Sequence, residues 1–153
     1  MCRGKNNAGF TLIEVLIVVV IMAVLAAVVI PQFSTTTKDA NDSSLHHNIH
    51  TMRSQIHLYK MDHLGDLPSI SDDSLPQLTA ATNGAGETGT RGTDYPFGPY
   101  IVEVPNNPCD GSSKVSAVAA PGQEPTGGVG SLGGWQYDAS NGAVWPNHSD
   151  YYQ

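Results

Sequence analysis

Residues Val15 to Ile30 form an unbroken apolar run, and a single carboxylate, Glu14, stands directly before it. Counted from Phe10, the segment is about 32 Å long as a helix, close to the thickness of a bilayer core. A charge held at the centre of a bilayer costs roughly 2.5–3.5 kcal/mol. The chain is thus confined to folds in which one long apolar helix is carried alongside a separate domain, and the acid inside it needs a partner.

The residues before it supply one. Met1 to Gly9 read as a short polar leader carrying Arg3 and Lys5 and no acid. Cleavage after Gly9 gives Phe10 a new α-amino group a few residues from Glu14. Opposite charges attract strongly in an apolar medium, so this amine is the natural partner of the carboxylate, within one chain or between neighbouring chains. A bare glycine before the cut lets the backbone enter a tight protease site. The basic residues ahead of the apolar run place the N-terminus in the cytoplasm and the bulk of the chain across the inner membrane. An ordinary secretory signal cut near Val24-Leu25-Ala26 is the competing reading, but it leaves Glu14 without a role.

The string Gly9-Phe10-Thr11-Leu12-Ile13-Glu14 and the apolar run through Pro31 resemble the class III signal of the type IV pilin-like superfamily, which includes type IV pilins and the pseudopilins of type II secretion. The resemblance covers about the first third of the chain. It implies that a membrane prepilin peptidase cuts Gly9–Phe10 and methylates the Phe10 amine, that Glu14 acts in filament assembly, and that Pro31 kinks the helix. It further implies an inner-membrane platform protein and a cytoplasmic assembly ATPase as partners, with other pilin-like subunits in a homo- or hetero-oligomeric filament. A second, weaker likeness to short pseudopilins lies in Gly98-Pro99-Tyr100, Pro105-Asn106-Asn107-Pro108 and Gly134-Trp135-Gln136-Tyr137.

After Pro31, which removes a backbone donor, the weak helix formers Ser34 to Thr37 and Asn41 to Ser44 leave open whether the helix is continuous or broken over residues 31–44. Apolar residues then fall at Leu45, Ile49, Met52, Ile56 and Tyr59, the spacing of one helical face. Gly65 and Pro68 end it. A short helix is expected around Pro76, an exposed loop over Asn83–Thr93, a strand or extended arm over Tyr100–Val104, a strand over Lys114–Ala119, and a mobile Gly/Pro-rich excursion over Pro121–Gly134. The strongest strand signal is the hairpin 135–145, with an Asn141-Gly142 turn. The expected fold is α+β: a pilin-like ladle whose long N-terminal helix packs on a small antiparallel sheet of about three strands. Its divisions are a leader (1–9), a transmembrane and filament-core helix (10–30), the outer half of the long helix (31–63) and a C-terminal head (64–153).

Charge and motif content exclude other classes. The chain has 7 basic and 14 acidic residues. Loss of the leader leaves Lys38, Arg53, Lys60, Arg91 and Lys114, scattered along the sequence, so nucleic-acid binding by a basic patch is not expected. Cys2 and Cys109 form no C-x-x-C pair and no zinc site. His46, His50 and His57 lie near one helical face but lack an acid or cysteine to complete a metal site, so a solvated or inter-subunit face is expected. Asp110, Asp138, Asn141 and Asp150 are the oxygen donors near the last loops, a weak calcium set without an EF-hand pattern; no cofactor is expected otherwise. No nucleophile elbow, metalloprotease helix or phosphate loop is present, and Trp135 and Trp145 read as core residues, so no enzymatic activity is expected. The expected function is that of a structural pseudopilin in a type II secretion-type filament. The alternatives are a type IV pilus subunit in adhesion, motility or DNA uptake, and a membrane-anchored extracytoplasmic binding module.

Overall fold

In a computed structural model of the chain, residues 10–152 are described, without the side chains of residues 30–36 and 150. Gly9 lies outside the described residues. The chain divides into two units, Met1–Ala40 and Asn41–Gln153.

The first unit holds the start of α1 (Leu12–Asp62). Thr11 is its N-cap and Glu14 the only acid of its first turn. Leu12–Val29 has a mean hydropathy of 3.2 and is long and apolar enough to cross a membrane. Large apolar side chains are exposed on every side of it, from Phe10 and Leu12 to Val28 and Val29. A helix apolar all round has no solvated face to offer, so lipid or other helices must cover it. The helix is assigned through Pro31 and the Ser/Thr-rich stretch, which answers the question left open over 31–44 in favour of continuity.

The second unit is built on the amphipathic part of α1. Leu45, Ile49, Met52, Ile56 and Tyr59 are buried together with Leu75, Leu78, Val104, Val115, Trp135, Tyr137 and Val144. The stripe read from spacing is therefore the floor of the core. Each such side chain contributes roughly 1.5–3 kcal/mol on burial. The helix ends in a Schellman arrangement: Gly65 N donates to Lys60 O at 2.9 Å. The left-handed residue is Leu64 (φ 57°) rather than glycine, although Gly65 follows at φ 105°.

Five short strands complete the unit. The short helix α2 (Pro76–Thr79) begins with Pro76, whose missing N–H costs nothing in a first turn. β1 (Ala81–Thr82) pairs antiparallel with β2 (Thr88–Gly89). β3 (Val115–Ala117), β4 (Trp135–Asp138) and β5 (Ala143–Pro146) form a second sheet in the order β3-β4-β5. The hairpin β4–β5 is antiparallel, with Asp138 opposite Ala143, and the loop between them is the four residues Ala139–Gly142.

Two details differ from the expectation. The three-stranded sheet is mixed, because β3 runs parallel to β4. Alternation of side chains has the same period in either direction, so sequence pattern carries no sign. The excursion over Val118–Gly134 is long enough to return the chain to the same end of the sheet, as parallel pairing requires. The second difference is the β1–β2 ribbon, which occupies part of the expected loop over Asn83–Thr93. Two-residue strands are too short to show a period. Tyr100–Val104 is not a strand and bends at Val102 and Glu103.

Candidate functional site

Thr11 and Glu14 form a capping box at the start of α1. Thr11 N donates to Glu14 Oε2 at 2.8 Å and Thr11 Oγ1 donates to the same oxygen at 2.6 Å. Glu14 N returns a bond to Thr11 Oγ1 at 3.3 Å. The spacing T-x-x-E produces this arrangement by itself, because N-cap and third helical residue face each other across the first turn. The carboxylate also sits at the positive end of the helix dipole. Glu14 Oε1 has no partner among the described residues.

The sequence pointed to Glu14 and to the Phe10 amine as its partner; the capping role of Thr11 was missed, though the T-x-x-E signature was present to be read. Phe10 is 87% exposed beside this turn. Pro31 lies within the helical assignment, and its side chain is outside the described set.

The remaining candidates fall elsewhere. His46, His50 and His57 are exposed on α1, and among the described residues no group of three or more His, Cys, Asp or Glu is assembled that could hold a metal. Three of the oxygen donors weighed for calcium, Asp110, Asp138 and Asn141, accept from the protein's own groups, and the side chain of Asp150 lies outside the described residues. Asp110 accepts from Ser112 N and Gly134 N, each at 2.8 Å. Asn141 Oδ1 accepts from Ala143 N. Asp138 accepts from Gly122 N, Ser140 N and Ser140 Oγ. Burial alone raises the Asp138 carboxyl, but the bonds from Ser140, Gly122 and Asn141 outweigh it and hold the group below the usual aspartate range. Trp135 is a core residue whose Nε1 donates to Pro105 O at 2.7 Å. Asn107, fully buried, donates to Gly134 O at 2.7 Å. The Pro-Asn-Asn-Pro loop is thereby fastened to the entrance of the final hairpin.

The burial of His63 was not anticipated. His63 is 1% exposed and joins α1 to the β1–β2 ribbon. It continues the alternating four- and three-residue spacing of Ile49, Met52, Ile56 and Tyr59, which is the signal that places it inward.

The start of α1 and the head on its outer part define a protein with a prepilin-type apolar stem. Residues 4–30 match the family model for the prokaryotic N-terminal methylation motif. Type II secretion system core protein G of Vibrio cholerae is 27% identical over 147 residues, covering 88% of this chain and 96% of that protein. The Klebsiella pneumoniae protein of the same name is 28% identical over 129 residues, covering 84% and 86%. Competence protein ComGC of Halalkalibacterium halodurans is 33% identical over 82 residues, covering 52% of this chain and 80% of that protein. No solved structure matches the chain at a significant level. The chain belongs to the type IV pilin-like family that carries the prepilin methylation motif, and most of its length is similar to the pseudopilins of type II secretion.

Proposed function

We propose that this protein is a structural subunit of a type II secretion-type pseudopilus. The observation that carries the reading is the apolar helix Leu12–Val29, exposed all round and opened by a carboxylate whose Oε1 has no partner among the described residues. Its precursor is a single-pass inner-membrane protein with a cytoplasmic N-terminus and the residue 64–153 head on the periplasmic side. Prepilin peptidase removes residues 1–9 by cutting Gly9–Phe10 and methylates Phe10. An assembly ATPase acting through an inner-membrane platform protein then draws the stem out of the bilayer. Neighbouring stems cover one another's apolar surface in the filament core, with Pro31 as the point where the stem bends. The protein catalyses no reaction.

Glu14 selects the docking register in this scheme. Thr11 holds the side chain toward the helix start through Oε2, and Oε1 receives the Phe10 amine of the adjacent subunit. Two opposite charges in a low-dielectric filament core attract strongly, and an acid left without its cation is costly there.

The test is Glu14→Ala in cells that carry the secretion machinery. Mass spectrometry is expected to find the variant cut to Phe10 like the parent, while sheared filaments contain none of it. Gly9→Leu is expected to accumulate the uncut precursor. Normal filaments from Glu14→Ala would remove the electrostatic docking role.

A further inference from the structure

Beside the end of α1 the second unit has a cavity of about 410 Å³ lined by Tyr59, His63, Asp66, Gln77, Gly86 and Ser140, among others. Most of the hydrogen-bonding capacity of this wall is already spent. Gln77 accepts from Ser69 N with Oε1 and donates to Gly86 O with Nε2. The His63 ring nitrogens face Tyr59 O, Asn83 O and Thr82 Oγ1. Ser140 gives its hydroxyl proton to Asp138, so its oxygen is left with accepting lone pairs.

Two groups are not spent. Tyr59 is 1% exposed, yet its hydroxyl has no hydrogen-bond partner among the described residues. The hydroxyl itself is open to the cavity, since Gln136 Oε1 is the buried side-chain polar atom left without a partner among the described residues. Gly86 lets the backbone come this close, since a Cβ there would lie 2.7 Å from the Tyr59 hydroxyl oxygen. The second group is the carboxylate of Asp66, at the exposed side of the wall, which has no cationic partner among the described residues. Burial pushes the Tyr59 phenol above its ordinary range, and the negative charge of Asp66 adds to the effect.

We propose that this cavity is a binding site for a protonated primary amine, seated between the Tyr59 hydroxyl and the Asp66 carboxylate. The wall presents a negative charge and acceptor oxygens without a lysine or arginine, which repels phosphates and carboxylates. An ammonium group brings three donors and no acceptor, the complement of that wall. The volume admits a four-carbon stem as well as the charged head. The amine comes either from a small free molecule or from a lysine side chain of a polypeptide. This site is independent of filament docking at Glu14.

The experiment uses the full chain in detergent micelles, titrated by calorimetry with ethylammonium and with Nα-acetyl-lysine methylamide. The norleucine analogue and glucose are the neutral controls. Saturable binding of an ammonium probe is expected, with none from the controls. Tighter binding of the lysine derivative identifies a polypeptide source, and equal binding a free amine. Tyr59→Phe and Asp66→Asn should each weaken it about tenfold, the scale of one charge-assisted hydrogen bond. Near-UV circular dichroism checks that both variants keep their fold, and Asp66→Asn, at the surface, carries the test if Tyr59→Phe does not. Absence of saturation by either ammonium probe, unchanged affinity in the folded variants, or binding of glucose in their place would overturn the proposal.

Discussion

The imidazole of His63 lies flat against the phenol ring of Tyr59, with ring centroids 3.8 Å apart and planes within 10° of parallel. The same histidine has Nδ1 2.9 Å from the Tyr59 carbonyl oxygen, and its Nε2 lies 3.0 Å from Asn83 O and 3.1 Å from Thr82 Oγ1. One side chain therefore continues the hydrophobic face of α1 and also reaches polar groups of the β1–β2 ribbon. His63→Leu keeps the volume and removes the bonds. It should lower stability by about 1–3 kcal/mol, the cost of leaving buried polar groups unpaired, measured as a drop in thermal midpoint. An unchanged midpoint would mean that the ribbon is held by other contacts.

Gly134 marks the point where β3 and β4 come together. Its φ is 73°, and a Cβ would stand 2.2 Å from Lys114 O. Trp135 N donates to that same oxygen at 2.7 Å. Gly134→Ala has nowhere to place its methyl group except by breaking the parallel pairing. A loss of about 3 kcal/mol or more is expected, read by denaturant unfolding.

Leu64 carries the opposite burden. It adopts φ 57° and is 99% exposed, so it bears the left-handed strain with no packing to offset it. Leu64→Gly relieves about 1–2 kcal/mol of that strain and loses about half of it to chain entropy. The variant should be more stable by about 0.5–1 kcal/mol. A destabilised Leu64→Gly would show that the leucine side chain has a packing role in the assembled protein.

Two buried tyrosines separate a hydroxyl bonded to the backbone from one that opens onto a cavity. Tyr137 donates to Pro68 O at 2.8 Å, tying the final sheet to the segment after α1. Tyr137→Phe strands that carbonyl and should cost about 1 kcal/mol or somewhat more. Tyr59→Phe removes a hydroxyl that has no bond to the described residues, and should change stability by no more than about 0.5 kcal/mol. Equal losses in a side-by-side melt would contradict the assignment.

Acid should loosen the final hairpin through Asp138. Its folded carboxyl is held below the ordinary value, so folding favours the charged form. Such a group contributes its full stability above the unfolded pKa, about 3.9, and loses it as the pH falls through the lower folded pKa. Wild type should therefore lose stability below about pH 4, and Asp138→Asn should lose less over the same window while starting less stable at neutral pH. Parallel pH profiles for the two proteins would rule Asp138 out as a source of the acid sensitivity.

What could be read without coordinates followed local rules. The membrane-length apolar run, the leader and the acid before it are contiguous, and each has a spacing that is its own signature. The stripe Leu45, Ile49, Met52, Ile56 and Tyr59 was legible because a helix repeats every 3.6 residues. The hairpin 135–145 was legible because β-branched and aromatic residues flank a turn sequence. The same spacing extended one step further to His63, but a histidine at the end of a stripe reads as solvated until its partners are known.

The amino-acid order alone determined the stem, the capping box latent in Thr11-x-x-Glu14 and the inward face of the outer helix, since all three depend on neighbours within a few residues. The tertiary structure decided the direction of β3, the inward place of His63 and the opening of the Tyr59 hydroxyl onto a cavity. Those depend on groups brought together from distant parts of the chain, Lys114 with Trp135 and Tyr59 with Gly86. Side-chain periodicity carries no information about which distant backbone will supply, or fail to supply, a hydrogen-bond partner.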